Sequence, residues 1–271
     1  MTGLGCCRMG IRTGRLLIFL SVLTVAAPDP ACPSAIAVSS AARNAAGAGT
    51  QPEPGVQTLA RIARIVARAF QGQNAWWLVG GAAGALLAHP GDQKIQTWWQ
   101  DRRPPQSIIR TADVLGDFEF HVPAVLAFWG AARLAHNARL TATGAALAEG
   151  YLVSKALTMT LKTTVRRQRP DRSNRLSFPS GHASGAFALA TVITCRHGPE
   201  VGLPFLSLAA FTTAMRLAQQ KHYLSDILVG AAIGVAVGRA AAGVHRLPQA
   251  SKPGLKYLPM PGYPLAVRLC W

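Results

Sequence analysis

Acidic residues are scarce: 11 Asp and Glu stand against 28 Lys and Arg in 271 residues, a formal charge of +17. So basic a chain is expected to meet an anion, which leaves nucleic acid, anionic lipid and phosphate esters as partner classes. Aromatic residues make up only 7% and do not alternate with the basic ones, so a nucleic-acid module is not supported and no nucleic acid is expected. Half of the chain is hydrophobic, yet no uninterrupted apolar run reaches the twenty or so residues of a membrane span. Strand-like alternation is rare and no repeat is visible. The cysteines and histidines form no cluster with metal-site spacing, so neither metal nor cofactor is expected.

The N-terminal region has the pattern of an export signal. Arg8, Arg12 and Arg15 precede an apolar stretch over 16–27, and small residues follow at Ala27, Ala35 and Ala37, which marks 1–37 as a signal peptide. Asp29, three positions before Cys32, argues against lipid anchoring there. Cleavage after Ala37 would remove Cys6, Cys7 and Cys32 and leave Cys195 and Cys270, which could pair in an oxidising compartment. Residues 38–55, rich in Ala, Pro, Ser and Gly, read as a disordered leader, 56–250 as one helical domain, and 251–271 as a C-terminal tail.

Helical patterns fall at 57–70, 75–89, 106–136, 140–165, 183–196, 201–219 and 226–243. The expected fold is all-α, a compact bundle of about six core helices with the active site at one end. Residues 227–238 are small and apolar on every side, as in a helix buried among close neighbours. The pairs Trp76-Trp77 and Trp98-Trp99 suit either a membrane surface or a core.

Three blocks carry the chemistry. Lys162, Arg169 and Pro170 form K-x6-R-P; Pro179, Ser180, Gly181 and His182 form P-S-G-H; Arg216, His222 and Asp226 form R-x5-H-x3-D. On a continuing helix Lys162 and Arg169 would lie within about 20 degrees of one face, two turns apart, and could converge on one anion before Pro170 stops the helix. Arg166 and Arg167 read as a solvated basic helix end. P-S-G-H precedes a helical pattern, which sets backbone N–H groups beside the Ser180 hydroxyl, a ready anion site. His222 and Asp226 are spaced so that the carboxylate could accept one imidazole N–H and leave the other nitrogen free for attack. Arg216 would lie about 240 degrees round a regular helix from His222, which requires a turn near 219–221. Asp113 and Asp117 share one side of a presumed helix and could pair with basic residues at the site. His89, His121, His136, His197 and His245 lack such a setting and read as structural or surface residues.

The blocks, in this order, resemble the signature of the type 2 phosphatidic acid phosphatase superfamily, which includes bacterial acid phosphatases and vanadium haloperoxidases. Met215 stands where that family usually has Ser. The resemblance implies that His222 attacks phosphorus, Asp226 orients it, and His182 protonates the leaving oxygen and then activates water. It also implies that Lys162, Arg169, Ser180, Gly181 and Arg216 hold the phosphate without a metal. The implied substrate is a phosphate ester, with lipid phosphates such as phosphatidic acid or a polyprenyl diphosphate favoured. A vanadate-dependent haloperoxidase and a non-enzymatic binder of anionic membranes are the other classes. Short charge-free runs favour helices that bury against each other in an exported, periplasmic domain touching the membrane; the rival is an inner-membrane enzyme with an outward-facing site.

Overall fold

A computed structural model describes residues 54–245. The expected signal peptide, the leader up to residue 53, the tail and any Cys195–Cys270 pairing fall outside them in whole or part. The described residues form nine α-helices and one 3-10 turn, with no strand among them. Helix α1 spans Pro54–Ala69, three residues ahead of the expected helix start at 57 and two ahead of the expected domain start at 56, with proline at its first position, where no N–H is needed. It is followed by α2 Gln73–Ala88, a 3-10 turn His89–Gly91, α3 Asp92–Asp101, α4 Gln106–Gly116, α5 Phe118–Leu134, α6 Ala138–Val165, α7 Gly181–His197, α8 Pro199–Ala218 and α9 Leu224–Val244.

Three local features differ from expectation. The helix expected over 106–136 breaks at Asp117, which is extended at φ −87° and ψ 156° and caps α5 by accepting from the Phe118 N–H at 2.8 Å. A short carboxylate that satisfies an orphan N–H competes with helix continuation there. Helix α3 has no clear apolar stripe, because two of its buried residues are Asp92 and Gln96. Helix α6 ends before Pro170 and before Arg169: Arg166 is left-handed at φ 50°, and its N–H returns to the Lys162 carbonyl. Arg169 therefore reaches the site from a loop rather than along a helical face.

Helix α9 is the central element, packed on α7, α2, α6 and α1. Its glycines 230, 234 and 238 face α7, where a Cβ on each would lie 2.5, 2.5 and 2.7 Å from the carbonyl oxygens of Ser180, Ser184 and Ala188. This register shows that α7 and α9 run parallel in close contact, as the small apolar stretch implies. Gly234→Ala is expected to destabilise by about 1–3 kcal/mol through overpacking. Gly80→Ala, with no atom within 4 Å of the added carbon, is expected to be neutral or stabilising. Thermal unfolding of the two variants side by side checks this pair.

Candidate functional site

Helices α6 and α8 run toward one end of the bundle, and α7 and α9 start from it. The end of α6 brings Lys162, the start of α7 brings Gly181 and His182, the end of α8 brings Arg216, and the start of α9 brings Asp226. The loop over 166–180 folds on itself, with the Arg169 N–H donating to the Asn174 carbonyl at 3.0 Å and the Ser177 N–H to the Arg167 carbonyl at 3.0 Å. It is stitched to the turn after α8 by the Asp171 N–H to the Gln220 carbonyl at 3.1 Å and by the Lys221–Asp171 ion pair at 2.6 Å. That turn, expected near 219–221, carries His222 into the interior, where it is 1% exposed.

The environment of His222 decides its chemistry. Nδ1 lies 2.6 Å from the Ser177 carbonyl oxygen; a carbonyl only accepts, so Nδ1 carries the proton and Nε2 of the neutral ring keeps its lone pair. The backbone carbonyl of His222 accepts from Gln96 Nε2 at 2.7 Å, which ties the turn to α3. Burial above all, and then Lys162, Arg216 and Arg169 nearby, hold the imidazole pKa well below 6.5.

The expected hydrogen bond from His222 to Asp226 is replaced by an indirect arrangement. The Asp226 oxygen Oδ2 is 4.0 Å from His222 Nδ1, beyond hydrogen-bond range, since His222 precedes α9 rather than lying on it. Oδ2 instead accepts from the Ser177 hydroxyl at 2.5 Å and the Tyr223 N–H at 2.9 Å, while Oδ1 accepts from Arg167 Nη1 at 2.6 Å. Asp226 thus holds the residue whose carbonyl orients the imidazole.

Arg167 is likewise not a solvated helix end. Its Nη2 donates to Asp92 at 2.8 Å, and its guanidinium lies 4.2 Å from the centre of the Tyr223 ring. Asp92 also accepts from the Ser225 hydroxyl at 2.5 Å and N–H at 3.1 Å. One guanidinium therefore bridges two carboxylates that are only 2% and 0% exposed, Asp92 and Asp226.

The second imidazole stands at the start of α7. Ser180 is the N-cap, and its hydroxyl oxygen accepts from the Ala183 N–H at 3.4 Å. A Cβ on Gly181 would be 3.7 Å from Lys162 Cε and 3.9 Å from Lys155 Nζ, so two lysines flank this helix end. Lys155 donates to the Gly181 carbonyl at 2.7 Å, and Lys162 to the Leu176 carbonyl at 2.5 Å. His182 Nε2 lies 3.6 Å from Asp113 and 4.0 Å from Asp117, placed to pair with them when the ring is protonated. Asp113 and Gln219 both accept from Arg216 Nη1. Buried Nε of Arg169, Nε of Arg216 and Nε2 of His182 have no hydrogen-bond partner among the described residues. Buried donors gathered in this way match the oxygens of an anion.

The structure thus gathers Lys162, Arg169, Ser180, Gly181, His182, Arg216, His222 and Asp226 at one end of the bundle. It adds Asp92, Gln96, Lys155, Arg167 and Ser177, of which only Arg167 lies within a block. Ser177, two residues ahead of P-S-G-H, carried no signal because its contribution to His222 is a backbone carbonyl. Of the other histidines, His89 stands at the edge of the site, its Nδ1 3.2 Å from Arg167 Nη2 and 3.3 Å from Asp92, whereas His121 meets the Tyr151 ring edge-on at 5.5 Å, His197 lies 3.1 Å from the Thr143 hydroxyl and His245 2.8 Å from Glu149. Of the tryptophans, Trp99 joins a core cluster with Met215, whereas Trp76 is 74% exposed.

An all-helical bundle with two imidazoles, several cations and a helix start at one end defines the class of an anion-handling helical protein, and sequence comparison places it in a family. A family model described as PAP2 superfamily matches residues 143–248. The chain is 34% identical over 143 residues to decaprenylphosphoryl-5-phosphoribose phosphatase of Mycobacterium tuberculosis, covering 48% of this chain and 77% of that protein. It is 39% identical over 98 residues to lipid A 1-phosphatase of Porphyromonas gingivalis, covering 32% of this chain and only 22% of that longer protein. The crystal structure of a transmembrane PAP2 type phosphatidylglycerolphosphate phosphatase from Bacillus subtilis shares the fold. Its TM-score is 0.51 at 19% identity, over 69% of this chain and 94% of that one. The chain belongs to the PAP2 superfamily.

Proposed function

We propose that this protein is a phosphatase acting on a lipid phosphate through a phosphohistidine on His222. The observation that carries the reading is the pair of buried guanidinium Nε donors on Arg169 and Arg216 that have no hydrogen-bond partner among the described residues, beside His182 and an imidazole whose free nitrogen is Nε2. Lys162, Arg169 and Arg216, with the Ser180 hydroxyl and the Gly181 N–H, hold the non-bridging phosphate oxygens. Nε2 of His222 attacks phosphorus, the bond to the leaving oxygen breaks, and that oxygen takes a proton from His182. Water then attacks the phosphohistidine, gives its proton to His182, and releases phosphate and neutral His222. Fixed cations stabilise the charge spread over the equatorial oxygens in both transition states, so the reaction is expected to proceed without metal.

The relatives support a lipid substrate, since by name they act on lipid A, decaprenylphosphoryl-5-phosphoribose and phosphatidylglycerolphosphate. The surface supports a membrane location. Helices α8 and α9 are long and apolar enough to cross a bilayer, although α9 is largely enclosed by its neighbours. Val201, Leu203, Phe205, Leu208 and Phe211 of α8 are exposed, and an apolar outer face on an already apolar helix suits lipid. We therefore favour an enzyme embedded in the membrane over an exported domain that only touches it. Fractionation with an alkaline wash tests this, and recovery of the protein in the wash would reject it.

The class is tested by phosphate release from an aryl phosphate and a phospholipid phosphate, with chelator and with vanadate. Chelator-resistant, vanadate-inhibited release is expected; peroxide-dependent halide oxidation without release would point to the haloperoxidase class. The pH profile is a second test. Because the His222 pKa is depressed, the ring stays neutral as pH falls through 6.5, and the acid limb of kcat/KM that it controls lies below that value. Lys162→Met removes a nearby cation, so this limb should move upward on the same substrate; a limb that does not move would remove Lys162 from the vicinity of the nucleophile.

A further inference from the structure

We infer that the end of the bundle remote from the catalytic groups binds the phosphate of an anionic lipid through Arg239 and Arg68. Arg239 is only 7% exposed within α9, yet its hydrogen bonds go to neutral oxygens at the start of α2, Asn74 Oδ1 at 3.2 Å and Gln73 Oε1 at 3.3 Å. One turn further along the same face of α9, a Cβ on Gly243 would lie 3.5 Å from Nη1 of the exposed Arg68. Two guanidinium groups therefore share one strip of α9, where α1 ends and α2 begins. Neither has a carboxylate in ion-pair range among the described residues. Arg61, two turns earlier on α1, differs: it pairs with Glu149 at 2.9 Å, and Glu149 is also held by His245 at 2.8 Å.

A buried charge is ordinarily compensated, and the rest of the chain has little to compensate this one with. Outside the described residues it holds two acids, Asp29 and Glu53, and residues 246–271 hold none. Glu53 adjoins the first turn of α1, whereas Arg68 is in the last. The counter-ion therefore comes from outside, and the planar guanidinium fork matches the oxygens of a phosphate. Depth selects the source. By the helical rise, Gly243 lies about 28 Å along α9 from Leu224 at the catalytic end, close to the roughly 30 Å hydrocarbon core of a bilayer. With the catalytic end in one headgroup layer, Arg68 stands in the other and Arg239 one turn inside it. Phe70 and Trp76 beside them are 55% and 74% exposed, and exposed aromatic rings settle at headgroup level. This placement rests on the membrane reading above but not on the phosphatase reading.

Thermal unfolding of the full-length protein in mixed micelles tests the inference without turnover. Micelles contain phosphatidylglycerol, phosphatidylcholine, or phosphatidylcholine with inorganic phosphate in the buffer. Saturating phosphatidylglycerol should raise the wild-type melting temperature by about 3 °C or more over both other conditions. Arg239→Gln should be at least as stable as the wild type in phosphatidylcholine, because a buried and uncompensated charge is gone, and should lose most of the phosphatidylglycerol shift. Arg68→Gln, at an exposed position where folding is not at stake, should lose at least half of it. Lys162→Met, at the catalytic end, should keep the shift, which separates this site from the phosphate pocket. A shift that inorganic phosphate or phosphatidylcholine matches, that survives both arginine variants, or that disappears in Lys162→Met would overturn the inference. So would Arg239→Gln protein destabilised equally in every micelle, since Arg239 would then serve its amide partners alone. If Arg239→Gln does not fold, an undiminished shift in Arg68→Gln overturns the inference and a lost one supports it. Absence of phosphatase activity would leave each of these outcomes unchanged, whereas recovery of the protein in the alkaline wash would remove the membrane reading itself.

Discussion

His222→Ala is expected to lower phosphoester turnover by about 10⁴-fold or more, as when a covalent nucleophile is removed. The fold should survive, because the Gln96 hydrogen bond goes to the backbone carbonyl of residue 222 and remains available. The wild type should accumulate an acid-labile, base-stable phosphoprotein when a labelled substrate is quenched in alkali, and the variant should not. Substantial turnover by a well-folded variant would eliminate the proposed nucleophile and with it the covalent mechanism. A variant with wild-type unfolding behaviour and no labelling would support it.

Arg167→Ala should produce the largest loss of stability. Its guanidinium reaches Asp92 and Asp226 together, and both carboxylates are buried. Removing one partner from a buried ion pair costs about 3–5 kcal/mol, because the remaining charge is left without compensation. Activity should fall as well, since Asp226 positions Ser177 and Ser177 orients His222. Arg167→Lys should restore little of either, because one ammonium cannot span both carboxylates as the planar fork does. Thermal unfolding and steady-state kinetics of the two variants check this; an unchanged melting temperature for Arg167→Ala would show that the bridge contributes nothing.

Much of the fold was legible because helices are written locally. The stretch 227–238 signalled a helix with close neighbours, and its glycines meet the α7 backbone. Helix α3 was not legible. Its value to the fold lies in Asp92 and Gln96, whose partners are 133 and 126 positions away, and polar contacts at that separation leave no periodicity. Asp117 ends one helical pattern and caps the next, a decision made by one side chain against an apolar pattern that would have continued. Arg167 misled for a related reason: beside Arg166 it looks like a solvated pair, and only folding brings two carboxylates to it.

The sequence by itself named the candidate groups for an anion site, because the order and spacing of Lys162, Arg169, Ser180, Gly181, His182, Arg216, His222 and Asp226 are covalent facts. Only the tertiary structure decided which nitrogen of His222 is free and what Asp226 holds. Those properties belong to hydrogen bonds and surfaces shared by distant segments, such as the 45 positions between Ser177 and His222. A buried group takes its protonation and orientation from whatever the fold sets against it.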